Sequence, residues 1–185
     1  MSTEDRANAP LVGIIVGSAS DLGVAGKAAD ILKEFGVEFE MGIASAHRTP
    51  EDVASYASSA SGRGIKVIIA MAGLSAALPG VVAANTTLPV IGVPVASGPL
   101  SGSDALLAIA QMPPGVPVAC MGIDGAKNAA LMALRIISTC DENLTGKLAD
   151  WTQRSSEDVR RSRKKIEELG GVRAVPSNIF QPGVE

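Results

Sequence analysis

Short apolar runs that alternate with stretches of helical spacing constrain this chain more than any other feature. LVGIIVG at residues 11–17 is β-branched, continuous and ended by glycine, the pattern of a strand buried on both faces. From Asp21 the period changes: Leu22, Ala25, Ala29, Leu32 and Phe35 share one helical face, and Gly36 supplies the stop. VEFEMGIA (37–44) reads as the second strand, and PEDVASYASSASGRG (50–64) as the second helix, with Pro50 and acidic residues in its first turn. IKVIIAMAG (65–73), LPVIGVPV (88–95) and GVPVACMGI (115–123) are strands three to five. Helices are expected around 78–85, 104–111 and 126–138, and again from Glu142 onward. Strand–helix alternation of this regularity predicts an α/β fold, a parallel sheet covered on both faces.

At 185 residues the chain suits one domain with a full core. Residues 11–169 are expected to form a single α/β domain including the last long helix. Residues 1–10 read as an N-terminal extension and the Gly/Pro-punctuated 170–185 as a tail. Hydrophobic residues make up 46% and charged residues 19%, too apolar for disorder and enough to bury some surface between subunits. A net charge of −3 gives no drive toward nucleic acid or an anionic membrane. The cluster Arg160, Arg161, Arg163, Lys164 and Lys165 is interleaved with Glu157, Asp158, Glu167 and Glu168 at helical spacing, the pattern of a solvated, self-paired face. Cys120 and Cys140 lack CxxC spacing and read as reduced, buried thiols. MSTEDRANAP has no apolar core of a signal peptide, and no run reaches membrane-spanning length, so the protein is expected to be soluble and cytoplasmic.

In such folds ligands collect beyond the carboxyl ends of the strands, where strand order reverses. The turns after the first three strands, GSASD, SAHRTP and AGLSAALPG, should converge there. One histidine and two distant cysteines cannot build an ordinary zinc site, and the P-loop, GxGxxG and GxSxG signatures are missing. What remains is proton transfer. His47 is the only imidazole in the chain, and imidazole both gives and accepts protons near neutral pH. It stands at a strand's carboxyl edge beside Ser45 and Arg48, although a histidine there can also merely cap a turn. Arg48 offers a planar fork for phosphate or carboxylate, or an ion pair for Glu51 or Asp52. Ser18 and Ser20 present hydroxyls where a helix begins, and Asp21 suits a neutral diol; Ser20 or Asp21 could equally cap that helix.

Together GSASD, SAHRTP, LPGVVAANTTLPVIGVPV, DALLAIAQMPPGVPVA and KNAALMALRI resemble, in order from Val12 to near Trp151, the purine-biosynthetic family of N5-carboxyaminoimidazole ribonucleotide mutases and aminoimidazole ribonucleotide carboxylases. The resemblance implies a three-layer α/β/α sandwich of Rossmann-like or flavodoxin-like type, assembled as a homo-octamer. It implies His47 as the catalytic acid/base and Arg48 as the phosphate contact. Gly17, Ser18, Ser20 and Asp21 fall in the substrate-binding turn, Ser45 and Ala46 flank the base, and Ala72–Gly73 faces it. The implied reaction moves CO2 from nitrogen to carbon of an aminoimidazole ribonucleotide without a cofactor or metal. Two features lean toward the carboxylase branch, which uses free CO2: Ala77 replaces the second histidine of the bacterial GGAAHLPG pattern, and the turn at 122–128 is short. Arg48-Thr49-Pro50 is the mutase form. A non-catalytic ribonucleotide-binding module is the remaining alternative.

Overall fold

Val12, Ile14, Ile15 and Val16 lose all but 1% of their exposure, and with Gly13 they form β1 (Val12–Val16). β3 (Val67–Ala72) and β4 (Val90–Pro94) are also buried at every residue. β2 (Phe39–Ile43) and β5 (Ala119–Cys120) form the partly exposed edges. All four pairings are parallel in the order β2-β1-β3-β4-β5, with Ile14 level with Met41 on one side and Ile69 on the other. Continuous apolar strands of this kind need cover on both faces. They receive it.

The computed structural model describes residues 9–169 and 172–180. α1 (Leu22–Phe35) buries Ala25, Ala28, Ala29, Leu32 and Phe35, as its periodicity predicts, while Leu22 at its first position stays exposed. Gly36 takes φ 67, and the amides of Gly36 and Val37 close the helix onto Lys33 and Leu32, a left-handed stop that suits glycine. α2 (Pro50–Ser59), α3 (Leu78–Ala84) and α4 (Ser103–Ala110) follow the second, third and fourth strands. α5 (Ala126–Ser138) packs an alanine face, Ala126, Ala129, Ala130 and Ala133, against α1 and the sheet. The core of the opposite face joins Ile15, Ile68 and Ala70 to Val53 and Ala57 of α2, Val82 of α3 and Ile109 of α4. This is the parallel sheet covered on both faces that the alternation predicts, and the α/β/α sandwich that the resemblance implies.

The fifth strand is shorter than expected. Only Ala119 and Cys120 pair with β4, where a run over 115–123 was predicted. Pro117 has no N–H to give a ladder, Gly115 turns the chain at φ 93, and the Val116 N–H is spent on Pro113 O. The thiols also differ from expectation. Cys120 is half-buried, with burial pushing its pKa up, and Cys140 is exposed because it sits just past the end of α5.

The chain divides between Thr145 and Gly146 into two compact units. α6 (Glu142–Ser162) runs across that division and leads into α7 (Lys164–Glu167). Its basic residues form the expected solvated face: Arg161 pairs with Asp158, and Gln153 donates to Glu157 at 3.0 Å. The Arg163 guanidinium lies 3.9 Å from the centre of the Phe180 ring. Of the expected extension over 1–10, only Ala9 and Pro10 are described. Of the tail over 170–185, only 172–180 are, including a 3-10 turn at Ser177–Phe180. Among the described residues no helix is long and apolar enough to cross a membrane.

Candidate active site

Strand order reverses between β1 and β3: the chain steps from β1 outward to β2, then returns to the other side of β1 for β3. The turns leaving β1, β2 and β3 therefore meet at one crevice, a cavity of about 430 Å³. Each sequence-predicted site residue lines it. Gly17, Ser18, Ser20 and Asp21 come from the first turn, Ser45, Ala46, His47 and Arg48 from the second, and Ala72 and Gly73 from the third.

The first turn is built around a buried carboxylate. Asp21 is 6% exposed, yet its side chain makes no capping bond to α1. It accepts instead from Ser20 Oγ at 3.1 Å, while Ser18 Oγ takes the Ser20 amide at 3.4 Å. Capping therefore does not account for Asp21. Buried carboxylates are rare without strong partners, so its one neutral hydroxyl partner leaves acceptor capacity directed at the cavity it lines.

The second turn is laced by its own side chains. Thr49 Oγ1 accepts the Ser45 amide at 3.0 Å and donates to Ser45 O at 3.3 Å. Ser45 Oγ accepts from Arg48 twice, from the amide at 3.3 Å and from Nε at 3.4 Å. Arg48 Nη2 donates to Gly17 O at 3.3 Å, so the guanidinium bridges the first and second turns instead of pairing with Glu51 or Asp52. His47 stands exposed between these anchored neighbours, and its imidazole makes no hydrogen bond among the described residues. It caps nothing. Both ring nitrogens are left for a ligand.

The third turn has another character. Leu74 and Ala76 hold φ values of 54 and 35, Ala76 is buried, and the Ala76 amide closes a turn onto Gly73 O at 3.1 Å. With Ala77 and Leu78 it gives the cavity an apolar wall. Ser97, beyond β4, also lines the cavity and was missed from sequence. The rule that found the other three turns applies equally to a hydroxyl just past the fourth strand. Among the described residues, no group of three or more His, Cys, Asp or Glu side chains could hold a metal ion.

The family model described as AIR carboxylase matches residues 11–158. The chain belongs to that family. The N5-carboxyaminoimidazole ribonucleotide mutase of Pyrococcus horikoshii is 53% identical over 165 residues, covering 89% of this chain and 93% of that one. The phosphoribosylaminoimidazole carboxylase of Saccharomyces cerevisiae is also 53% identical over 161 residues, 87% of this chain but 28% of the longer yeast protein. The crystal structure of Treponema denticola PurE superposes with a TM-score of 0.77 at 34% identity, covering 85% of this chain and 98% of that one. The matched region contains every residue that lines the cavity.

Proposed function

We propose that this enzyme is a mutase of purine biosynthesis, converting N5-carboxyaminoimidazole ribonucleotide into 4-carboxyaminoimidazole ribonucleotide. The observation that carries this reading is the meeting, in one cavity, of an unpartnered imidazole, a guanidinium held across two turns and a buried carboxylate. Arg48 and the hydroxyls of Ser18 and Ser20 receive the phosphate, where a fork-shaped cation and free helix N–H groups favour an anion. Asp21 accepts from the ribose hydroxyls.

His47 moves the proton. As the N–CO2 bond breaks, the imidazolium protonates the nitrogen that becomes the amine, and CO2 is released beside the apolar wall of Ala76, Ala77 and Leu78. The electron pair of the ring carbon then attacks CO2, forming the C–C bond. The neutral imidazole removes that carbon's proton, restoring aromaticity and its own starting charge. Holding CO2 against the ring makes its recapture effectively intramolecular. Residues 11–169 form the catalytic domain in this reading, with 1–10 an extension and 170–185 a tail.

The second reading is carboxylation of aminoimidazole ribonucleotide by free CO2, the activity named for the yeast relative and consistent with Ala77. Two assays separate them: one with N5-carboxyaminoimidazole ribonucleotide, the other with aminoimidazole ribonucleotide and millimolar bicarbonate. Prompt isomerisation in the first with slow turnover in the second is expected. Efficient carboxylation without isomerisation would replace the mutase by the carboxylase.

The enzyme works in the cytoplasm as a homo-octamer. Ile43, Leu74, Leu100 and Leu107, each more than half exposed in the single chain, supply apolar surface for association. Light scattering should give about eight times the 18.8 kDa chain mass. A monomer mass would remove the octamer.

A further inference from the structure

The Gly73–Leu74 wall of the cavity is backed by a segment from beyond β4. A methyl group on Gly73 would come within 2.9 Å of Ser97 Cβ, and one on Gly98 within 2.7 Å of Leu74 Cδ2, so the two loops approach as closely as their glycines allow. Ser97 is half-buried, lines the cavity, and makes no side-chain hydrogen bond among the described residues. Its position is therefore set from behind, by the path of the main chain.

The Val95 amide bonds Ala72 O at 2.9 Å, and the rest of that path is held by one residue distant in sequence. Asp124 Oδ1 accepts the Ala96 amide at 3.0 Å, and the Asp124 amide donates to Pro94 O at 2.8 Å. The two bonds straddle Val95 and fix the direction in which the chain leaves the sheet. Asp124 holds this grip at φ 54, a left-handed conformation that Asp and Asn tolerate better than most residues. It is absent from the cavity lining and touches no reacting atom.

We propose that Asp124 is a positioning residue for catalysis. By clamping Ala96 it seats Ser97 and Gly98 behind Gly73 and Leu74, and so fixes the wall against which the imidazole ring and the released CO2 are registered. This rests on the reaction assigned above. Because the clamp lies away from Arg48 and Ser18, it governs turnover and leaves the grip on phosphate intact.

Two variants separate the hydrogen bond from the backbone strain. Asp124→Gly deletes the acceptor while easing φ, whereas Asp124→Asn keeps an acceptor oxygen and tolerates φ. Asp124→Gly should lower kcat about 10- to 100-fold, the scale of a small misplacement of reacting groups, with KM within about threefold. Asp124→Asn should stay within about threefold of the parent in both. Amide hydrogen exchange at Ala96 should quicken at least about tenfold in the glycine variant alone. Should that variant fail to fold, Asp124→Ser, one atom too short for the clamp, takes its place. Parent-like kcat in the glycine variant, an equal loss in the asparagine variant, or a rise in KM alone would overturn the assignment. If the parent enzyme turns over neither substrate, the reaction is wrong, and amide exchange still decides: unchanged protection at Ala96 in the glycine variant removes the clamp.

Discussion

Two walls of one cavity are built by opposite means. The turn at 45–49 is held by side chains: Thr49 and Ser45 hydroxyls take its amides, and Arg48 ties it to Gly17. The turn at 73–77 has no side-chain hydrogen bond among the described residues and instead keeps two non-glycine residues at positive φ. A polar turn can be stabilised by what its own side chains bond. An apolar one has to be held by whatever packs behind it, here Ser97 and Gly98. The difference matches the division of labour in the proposed reaction, with charged ribonucleotide on one wall and CO2 on the other.

The sharpest way to test that division is to disable the polar wall's proton carrier. His47→Asn preserves size and polarity, so it should still bind aminoimidazole ribonucleotide while kcat falls by about 10²–10⁴-fold or more. Near-parent turnover would remove His47 from the chemistry. Arg48→Lys keeps the charge and loses the fork, which should weaken ribonucleotide binding by about 1–3 kcal/mol, read by titration calorimetry. An unchanged affinity would make Arg48 a brace between turns and nothing more. Thr49→Val strips the hydroxyl that takes the Ser45 amide; a loss of about 1 kcal/mol in denaturant unfolding is expected. On the apolar wall opposing effects should nearly cancel. Leu74→Gly relieves a left-handed residue worth about 1–2 kcal/mol, offset by about 0.5–1 kcal/mol of glycine chain entropy. The half-buried leucine side chain also forfeits about 1 kcal/mol of burial, so the net is near zero, and a loss well beyond that in the same unfolding assay would show that packing against Gly98 outweighs the relief of strain.

The same contrast explains what could be read from sequence. Strand and helix periodicity located the parallel sheet and set α5 at 126–138, because burial imposes those periods directly. The polar residues that line the cavity were legible as well, since Ser, Asp, His and Arg in turns after strands are conspicuous in a chain with so few charges. Sheet order was not legible, because no local pattern encodes which strand the chain returns to. Ser97 as a cavity-lining residue and the bond from the Ala96 amide to Asp124 were not legible, because both arise from contacts between segments far apart in sequence. The capping reading of Asp21 failed for a related reason: its residue type fits a helix start, and only its burial reveals that the carboxylate is used otherwise. The fifth strand is shorter than its apolar residues predict because prolines stand among them.

Those prolines have an effect of their own. A sheet edge with free amides invites another chain to add a strand, and long apolar edges are where proteins stick together nonspecifically. At the β5 side only Ala119 and Cys120 are in ladder conformation, and Pro113, Pro114 and Pro117 remove half of the donors from residues 113–118 before them. On that side the sheet offers another copy of this chain a ladder of two residues, so contact there would have to rest mainly on side-chain surfaces.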